Sequence, residues 1–474
     1  MSLIIDEATV IDGETEYPIT GASVWIEGGR IKVVGQRNEW VVPSAVRVID
    51  GRGKFVIPGL MDANVHLLLD MRLENLVRYE NRYADLICEA AQVALKNGVT
   101  TVFDTWGPRV PLIAVRDRIN KGELLGSRIF CAGNIIGLGG PFSEDFLSKS
   151  AEIASAALVD RVNLIWTENV GPSLTWMTPA QVAQEVREYI GKGLDFIKYA
   201  SSEHRVPIGS SAFLAFSPQA QQAIVEEVHA AGLTVQAHTQ SVEALRVAIE
   251  AGCNIIQHCN ITGPVAIPKS TLQQLVDRNT ASTVFPLTQR RYEWFKDHGD
   301  TLTSRLFTVA TVETNVANLI ESGAIILLAT DSGVLAAESA TDAALGAVYS
   351  GEDNLFELGQ GHFNWLKAMQ EKGMSPMALL KSATRNIAAA YGKLKELGTI
   401  EAGKIADLLI LDKNPLLSAE NYRCIHMIIK DGDIVDRGAL PMSPLLTRPA
   451  DKSTAENSLR SRTRAGGLPL CCGF

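Results

Sequence analysis

Eight short apolar runs, spread through the middle of the chain, set the tightest limit on what it can fold into. They are "VIPGLMDANVH" (56–66), "VTTVFDT" (99–105), "RIFCAGNII" (128–136), "DFIKYAS" (195–201), "LTVQAHT" (233–239), "NIIQHCN" (254–260), "STVFPL" (282–287) and "AIILLATD" (324–331). Between them lie stretches of helical length with one apolar side, such as 217–232, 241–252 and 312–323. Each of these three ends at glycine, as helix C-termini often do. Strand and helix alternating eight times is the pattern of an α/β protein built as a (β/α)8, TIM-like barrel, here over residues 58–395. The polar residues fall at the C-terminal ends of the runs, the end at which such barrels carry catalytic groups.

The flanks have a different texture. Residues 1–57 alternate Val, Ile and Trp with polar positions and break at Gly-Gly and Asp-Gly pairs, which predicts short strands. The same texture returns over 396–440, so the two segments are expected to form one small composite β-sandwich, since chain ends often lie close together. Residues 441–474 are polar and turn-rich, as expected of a tail. The net charge of −9 argues against nucleic acid or an anionic membrane as partner, because both need a basic face. There is no basic segment before an apolar core at the N-terminus, and no apolar run approaches bilayer length. Seven cysteines without CxxC spacing fit a reducing, cytoplasmic setting. Asn260-Ile261-Thr262 and the Cys471-to-Phe474 end superficially match glycosylation and prenylation patterns, but the first lacks a secretory route and the second lacks aliphatic middle positions.

Six polar residues at the run ends form the candidate site: Asn64, His66, Lys198, His238, His258 and Asp331. Asn64 and His66 alternate along one strand and so face the same side. Imidazole and carboxylate are the usual ligands of a catalytic divalent ion, which keeps one position open for water. Each residue has a plainer reading when taken alone. Asp331 could be a helix cap, a lone strand histidine is ordinarily core, and Lys198 needs only a partner to be buried. Occurring in order on five of the eight runs, they point instead to a catalytic divalent-metal site. His229 and His426 are expected to be structural, and His298 and His362 have no site context. His204 follows the Lys198 strand and could line a pocket.

At these residues the chain resembles the amidohydrolase superfamily over nearly its full length. "VIPGLMDANVH" is similar to that family's first-strand motif, "GTIEAGKIADLLILD" to its closing signature, and "DFIKYAS" to the branch with a carboxylated fourth-strand lysine. The family pattern ordinarily has His-x-His where this chain has Asn64 and His66. Asn-x-His resembles the phenylurea hydrolase and molinate hydrolase group. The resemblance implies Asn64, His66, Lys198, His238, His258 and Asp331 as metal ligands, with Asp331 and His258 also catalytic. Carboxylation of Lys198 comes with it. An asparagine oxygen binds zinc-like ions more weakly than imidazole, so one metal per chain is expected, zinc first and cobalt, manganese or iron as alternatives.

The expected reaction is hydrolysis of a urea, amide or carbamate, with a phenylurea herbicide cleaved to an aniline as the leading reading. Trp106, Tyr199, His204 and Phe285 are the expected substrate contacts, and Trp294 adds aromatic surface. A thiocarbamate hydrolase of the molinate kind is one alternative. An Xaa-Pro or N-acyl-amino-acid dipeptidase is another, with Arg290 or Arg291 anchoring the substrate carboxylate. A non-catalytic scaffold ranks last, because only one first-strand position departs from the family pattern. The expected partner is the small-molecule substrate, and a homo-oligomer is implied by the resemblance.

Overall fold

The computed structural model of the chain describes residues 2–37, 40, 46–68, 73–146, 154–204, 212–297, 308–333 and 351–447. His298 and residues 448–474 of the expected tail lie outside the described residues. The architecture is α/β. In chain order the strands are β1 (Ser2–Val10), β2 (Ile19–Glu27), β3 (Arg30–Gln36), β4 (Arg47–Asp50), β5 (Phe55–Pro58), β6 (Leu60–His66), β7 (Val99–Asp104), β8 (Arg128–Cys131), β9 (Phe196–Ala200), β10 (Thr234–His238), β11 (Ile255–Gln257), β12 (Ala281–Thr283), β13 (Ile326–Leu327), β14 (Ser332–Gly333), β15 (Leu408–Leu411), β16 (Ile425–Lys430) and β17 (Asp433–Ile434). Each of the eight apolar runs carries one of β6 to β13.

The N- and C-terminal strands share a single sheet, ordered β17-β16-β15-β5-β1-β2-β3 with β4 beside β1. Strand periodicity gives this sheet two buried faces. Val56, Leu408, Ile410 and Ile429 join Leu3, Ile5 and Val24 in a core of the sheet's own. Their neighbours Ile57, Leu409, Leu411 and Ile428 point the other way, into the large core beneath the parallel strands.

The parallel strands form two arcs, β14-β6-β7-β8 and β13-β12-β11-β10-β9. Backbone hydrogen bonds join them on both sides. Ala63 N donates to Leu328 O at 3.0 Å, Ile136 N to Lys198 O at 2.9 Å and Ala200 N to Ile136 O at 2.9 Å. Helices alternate with these strands, among them Pro218–Ala230, Val242–Ala251 and Val309–Glu321. Ser217 and Ser241 cap the first two by accepting the Ala220 and Ala244 amides. Gly232, Gly252 and Gly323 follow the three helices with φ of 72°, 95° and 75°, a region that side-chain-bearing residues avoid. Between the arcs, Tyr391 stacks on Phe103 at 3.7 Å and donates its hydroxyl to Ala63 O at 2.6 Å, filling the space below the site. Among the described residues no helix is long and apolar enough to cross a membrane.

The first apolar run divides at the Pro58-Gly59 pair. Pro58 pairs with Leu408 in the terminal sheet, and β6 starts one residue after Gly59. Gly59 N donates to Asp407 O at 2.8 Å, and a Cβ at Gly59 would fall on the Thr100 side chain. Gly59→Ala is therefore expected to cost about 1–3 kcal/mol in urea unfolding through overpacking, and Thr100→Ala in the same chain to restore part of it. His362 is buried with Nε2–H donated to Asn97 O at 3.0 Å, and burial pushes its pKa down to about 3. The folded state therefore holds this imidazole neutral. That stabilisation is complete above the ordinary histidine pKa of about 6.5 and is lost as pH falls, by up to about 1.4 kcal/mol per pH unit. Unfolding measured at pH 7 and 4.5 should show a smaller acid loss in His362→Gln than in the wild type.

Candidate metal-hydrolase site

Strand β6 turns Asp62, Asn64 and His66 to one face, and all three are buried. The Asp62 carboxyl accepts Thr330 Oγ1 at 2.6 Å, Thr330 N at 3.2 Å and Asn64 N at 3.1 Å. Burial nonetheless pushes its pKa up to about 7. One residue beyond Thr330, Asp331 N donates to Asn64 O at 2.8 Å. These bonds fasten the end of the last long run to the first strand and bring Asp331 Oδ1 to 2.9 Å from His66 Nε2.

The tautomer of His66 follows from its other nitrogen. Nδ1 lies 3.2 Å from the Trp106 carbonyl, which can only accept, so Nδ1 carries the hydrogen. In the neutral ring, Nε2 then presents a lone pair to a carboxylate. Two acceptors at 2.9 Å are compatible only with a shared proton or a cation. Burial raises the Asp331 pKa, but His66, Lys198 and His258 together outweigh it and hold the carboxyl well below the usual range.

A second pair stands beside the first. His258 Nδ1 donates to Thr239 O at 3.0 Å, which leaves its Nε2 bare, 3.1 Å from His238 Nδ1. His238 Nδ1 supplies the hydrogen between them, so His238 Nε2 is a buried lone pair with no partner among the described residues. Burial, first of all, lowers both imidazoles, His258 to about 3 and His238 well below its ordinary value, so both are neutral. His258 and Asp331 also share left-handed backbone, with φ of 41° and 54°, where a side chain is strained.

Lys198, on β9, donates Nζ–H to Thr105 Oγ1 at 3.1 Å, and Thr105 donates its hydroxyl to Asn64 Oδ1. Burial lowers the lysine pKa to about 8, against the pull of Asp331 and Asp104. Asp104, just before Thr105, is buried and accepts Leu67 N at 2.7 Å through one oxygen, while the other has no partner among the described residues. Burial pushes its pKa up to about 8. The sequence reading missed both Asp104 and Thr105. They end the run "VTTVFDT" as His238 and His258 end theirs, so the same strand-end rule would have found them.

Aromatic rings run through the site in an unbroken series. Trp106 meets His66 edge-on at 5.9 Å and stacks on Phe146 at 4.0 Å. Phe146 approaches His204 at 4.8 Å, and His204 approaches His238 at 5.1 Å. His238 meets His258 at 4.5 Å, and Phe285 follows at 5.5 Å with Phe356 a further 5.8 Å on. Trp106, His204 and Phe285 thus gather with the histidines, as the sequence suggested. Tyr199 does not. Strand alternation turns it away from its neighbour Lys198, and its hydroxyl donates to Gln221 Oε1 at 3.0 Å in the layer between strand and helix. Trp294 packs against Phe295 and Arg291 instead. Arg290 pairs with Glu352. His229 bonds Asn254 Oδ1 at 2.9 Å and His426 pairs with Asp412 at 3.2 Å, both remote from the series.

The donor set fits a divalent cation. It offers the Asp331 carboxylate, the His66 ring nitrogen that faces it, and the neutral imidazoles of His238 and His258. Among the described residues no three His, Cys, Asp or Glu side chains stand together as a ready cage. The groups form two pairs, His66 with Asp331 and His238 with His258, rather than the single cluster that the sequence suggested.

Residues 55–435 match the amidohydrolase family. The fold superposes on a molinate hydrolase with a TM-score of 0.88 at 36% identity, covering 95% of this chain and 98% of that one. It superposes on phenylurea hydrolase B with a TM-score of 0.89, again at 36% identity, covering 95% of this chain and all of the other. An ochratoxinase from Aspergillus niger is 24% identical over 328 residues, 68% of this chain, and the match spans 62% of the ochratoxinase's own length. If the two pairs hold an ion, zinc added to chelator-treated protein should raise Tm, with a stabilisation of about 2.7 kcal/mol at a hundredfold excess over Kd. His66→Ala and His238→Ala should shrink that rise.

Proposed function

The chain belongs to the amidohydrolase family, hydrolases of carbon–nitrogen bonds, and from that premise we propose that it cleaves an N-aryl urea to release an aniline. The observation that carries this reading is the aromatic series from Trp106 through Phe146 and His204 to Phe285, which flanks the paired histidines on both sides. Flat apolar rings beside a few fixed polar groups suit an aryl substrate with a polar reacting centre. The 36% identity to phenylurea hydrolase B and to the molinate hydrolase supports the same substrate region. Arg290 is engaged by Glu352, which disfavours it as the carboxylate anchor of a dipeptidase. In this reading the two parallel arcs are one closed (β/α)8 barrel, and the terminal sheet is its β-sandwich companion.

The family generally uses a divalent metal. Here His66, Asp331, His238 and His258 would hold it, with Lys198 adjacent and carboxylated if it follows the family branch, and zinc is the first candidate. Such an ion supplies Lewis acidity, lowering the pKa of water to about 7 and polarising a carbonyl. The Trp106 carbonyl fixes the His66 tautomer and so aims Nε2 at the site. Asp331, held as a carboxylate, takes a proton from the attacking water at Oδ2 and returns it to the departing aryl nitrogen. His258, kept neutral with its one hydrogen given to Thr239 O, would offer the Nε2 lone pair to the ion and has no N–H for the carbonyl oxygen. Trp106, Phe146 and Phe285 orient the ring and exclude water from it. The partner is the small-molecule substrate. The reading includes cytoplasmic residence and a homo-oligomer, and no nucleic acid or membrane partner, consistent with the acidic balance.

A panel of an N-aryl-N′,N′-dimethylurea, a thiocarbamate and an Xaa-Pro dipeptide tests the proposal. The aryl urea should give the highest kcat/KM, with aniline released stoichiometrically. Asp331→Asn should lower kcat by about 10²–10⁴ as its proton carrier is lost. A dipeptide preferred over the urea, or an Asp331→Asn variant with wild-type turnover, would sink it.

A further inference from the structure

Asn64 stands where the family motif has a metal-binding histidine, and its surroundings fix which end of the amide faces the site. Lysine Nζ keeps a hydrogen to give in every form open to it, whether ammonium, amine or carbamate. Lys198 gives that hydrogen to Thr105 Oγ1 at 3.1 Å. The Thr105 hydroxyl hydrogen is thereby left to point onward, and it goes to Asn64 Oδ1. The amide oxygen is engaged, and the other end of the group is Nδ2, an NH2 with no lone pair to offer a cation. Asn64 is fully buried, and Nδ2 has no acceptor among the described residues. A buried N–H left unpaired is costly, and few native groups are left so without a role. It lies on the same strand face as His66, two residues earlier, so what it lacks is an oxygen delivered to the site.

We propose that Asn64 is not a metal ligand but a catalytic hydrogen-bond donor, giving Nδ2–H to the carbonyl oxygen of the substrate, with Thr105 and Lys198 as the positioning residues that hold its amide in that orientation. The inference rests on the aryl-urea reading for its substrate, and on the hydrogen-bond chain alone for the orientation of Asn64. A donor aimed at a carbonyl oxygen strengthens as negative charge grows on that oxygen, so it acts mainly on kcat. It also explains why the chain can do without a histidine here: the position binds the substrate rather than the ion.

Two variants of the full chain separate donor from ligand. Asn64→Ala removes both the oxygen and the N–H, and Asn64→Asp keeps ligand oxygens but has no N–H. Zinc per chain by plasma mass spectrometry and turnover of the aryl urea are read on each. The proposal expects wild-type zinc content in both, with kcat down about 10²–10³ in both and KM within a fewfold. Zinc lost in Asn64→Ala, but zinc and turnover kept in Asn64→Asp, would overturn it in favour of a ligand. Turnover close to wild type in both would overturn it as well. Thr105→Val provides a second route should an Asn64 variant not fold. Its kcat should fall with zinc unchanged, and Thr105→Ser should restore it, whereas zinc lost with Thr105→Val would count against the proposal. A wild type inactive toward the urea defeats the substrate reading alone, and zinc content in Asn64→Ala still decides between donor and ligand.

Discussion

The joint between Asp62 and Thr330 is the contact from which the site takes its shape. A single buried carboxyl accepts a hydroxyl and a backbone amide from the end of the last run, and an amide from its own strand. It thereby sets the relative height of two segments that lie more than 260 residues apart in sequence. Next to it, the Asp331 amide bonds to Asn64 O, and the carboxylate of Asp331 comes to face His66. Were the two segments to slip by one residue, strand alternation would turn His66 out of reach of Asp331. That dependence accounts for a carboxyl being kept buried at the expense of its ordinary ionisation.

Two residues of the site carry backbone strain. His258 and Asp331 both take left-handed backbone, and both lie at the ends of the runs that present them. Neighbouring residues supply the compensation. Thr283 Oγ1 accepts the His258 amide at 2.8 Å, and Thr239 O accepts its ring hydrogen. For Asp331, the Asn64 carbonyl and His66 do the equivalent. The surrounding hydrogen bonds over-determine both residues, which is how such conformations persist in a stable chain. The gain is a fixed direction for each functional atom before any substrate arrives.

Much of this was legible in the sequence because it depends on period and punctuation. The runs "LTVQAHT" and "NIIQHCN" gave β10 and β11 with their terminal histidines, and the glycines at 232, 252 and 323 marked true helix ends. Tyr199 lies outside the site because a strand sends adjacent side chains to opposite faces, and Lys198 takes the face toward the site. Thr105 and Asp104 end a run as the histidines do, and what no local pattern shows is their partners Lys198, Asn64 and Leu67. Phe146 and Phe356 belong to connections between elements, whose course no local pattern specifies. The boundary expected at 57/58 falls within two residues of the break at Gly59, and only the Thr100 side chain beside it shows why glycine is needed there.

The shared terminal sheet has a consequence for how the protein comes into being. β5 is bonded to β1 on one side and to β15 on the other, and β15 begins 350 residues after β5 ends, at Leu408 after Pro58. At ribosomal speeds of roughly 5–20 residues per second, about 20–70 s separate the emergence of these partners. Throughout that interval the nascent chain carries an open, apolar strand edge with nothing to pair against. A strand made late thus seals one made early. Guarding that edge during synthesis, by a chaperone or by early docking onto the parallel strands, is a requirement that the finished molecule no longer displays.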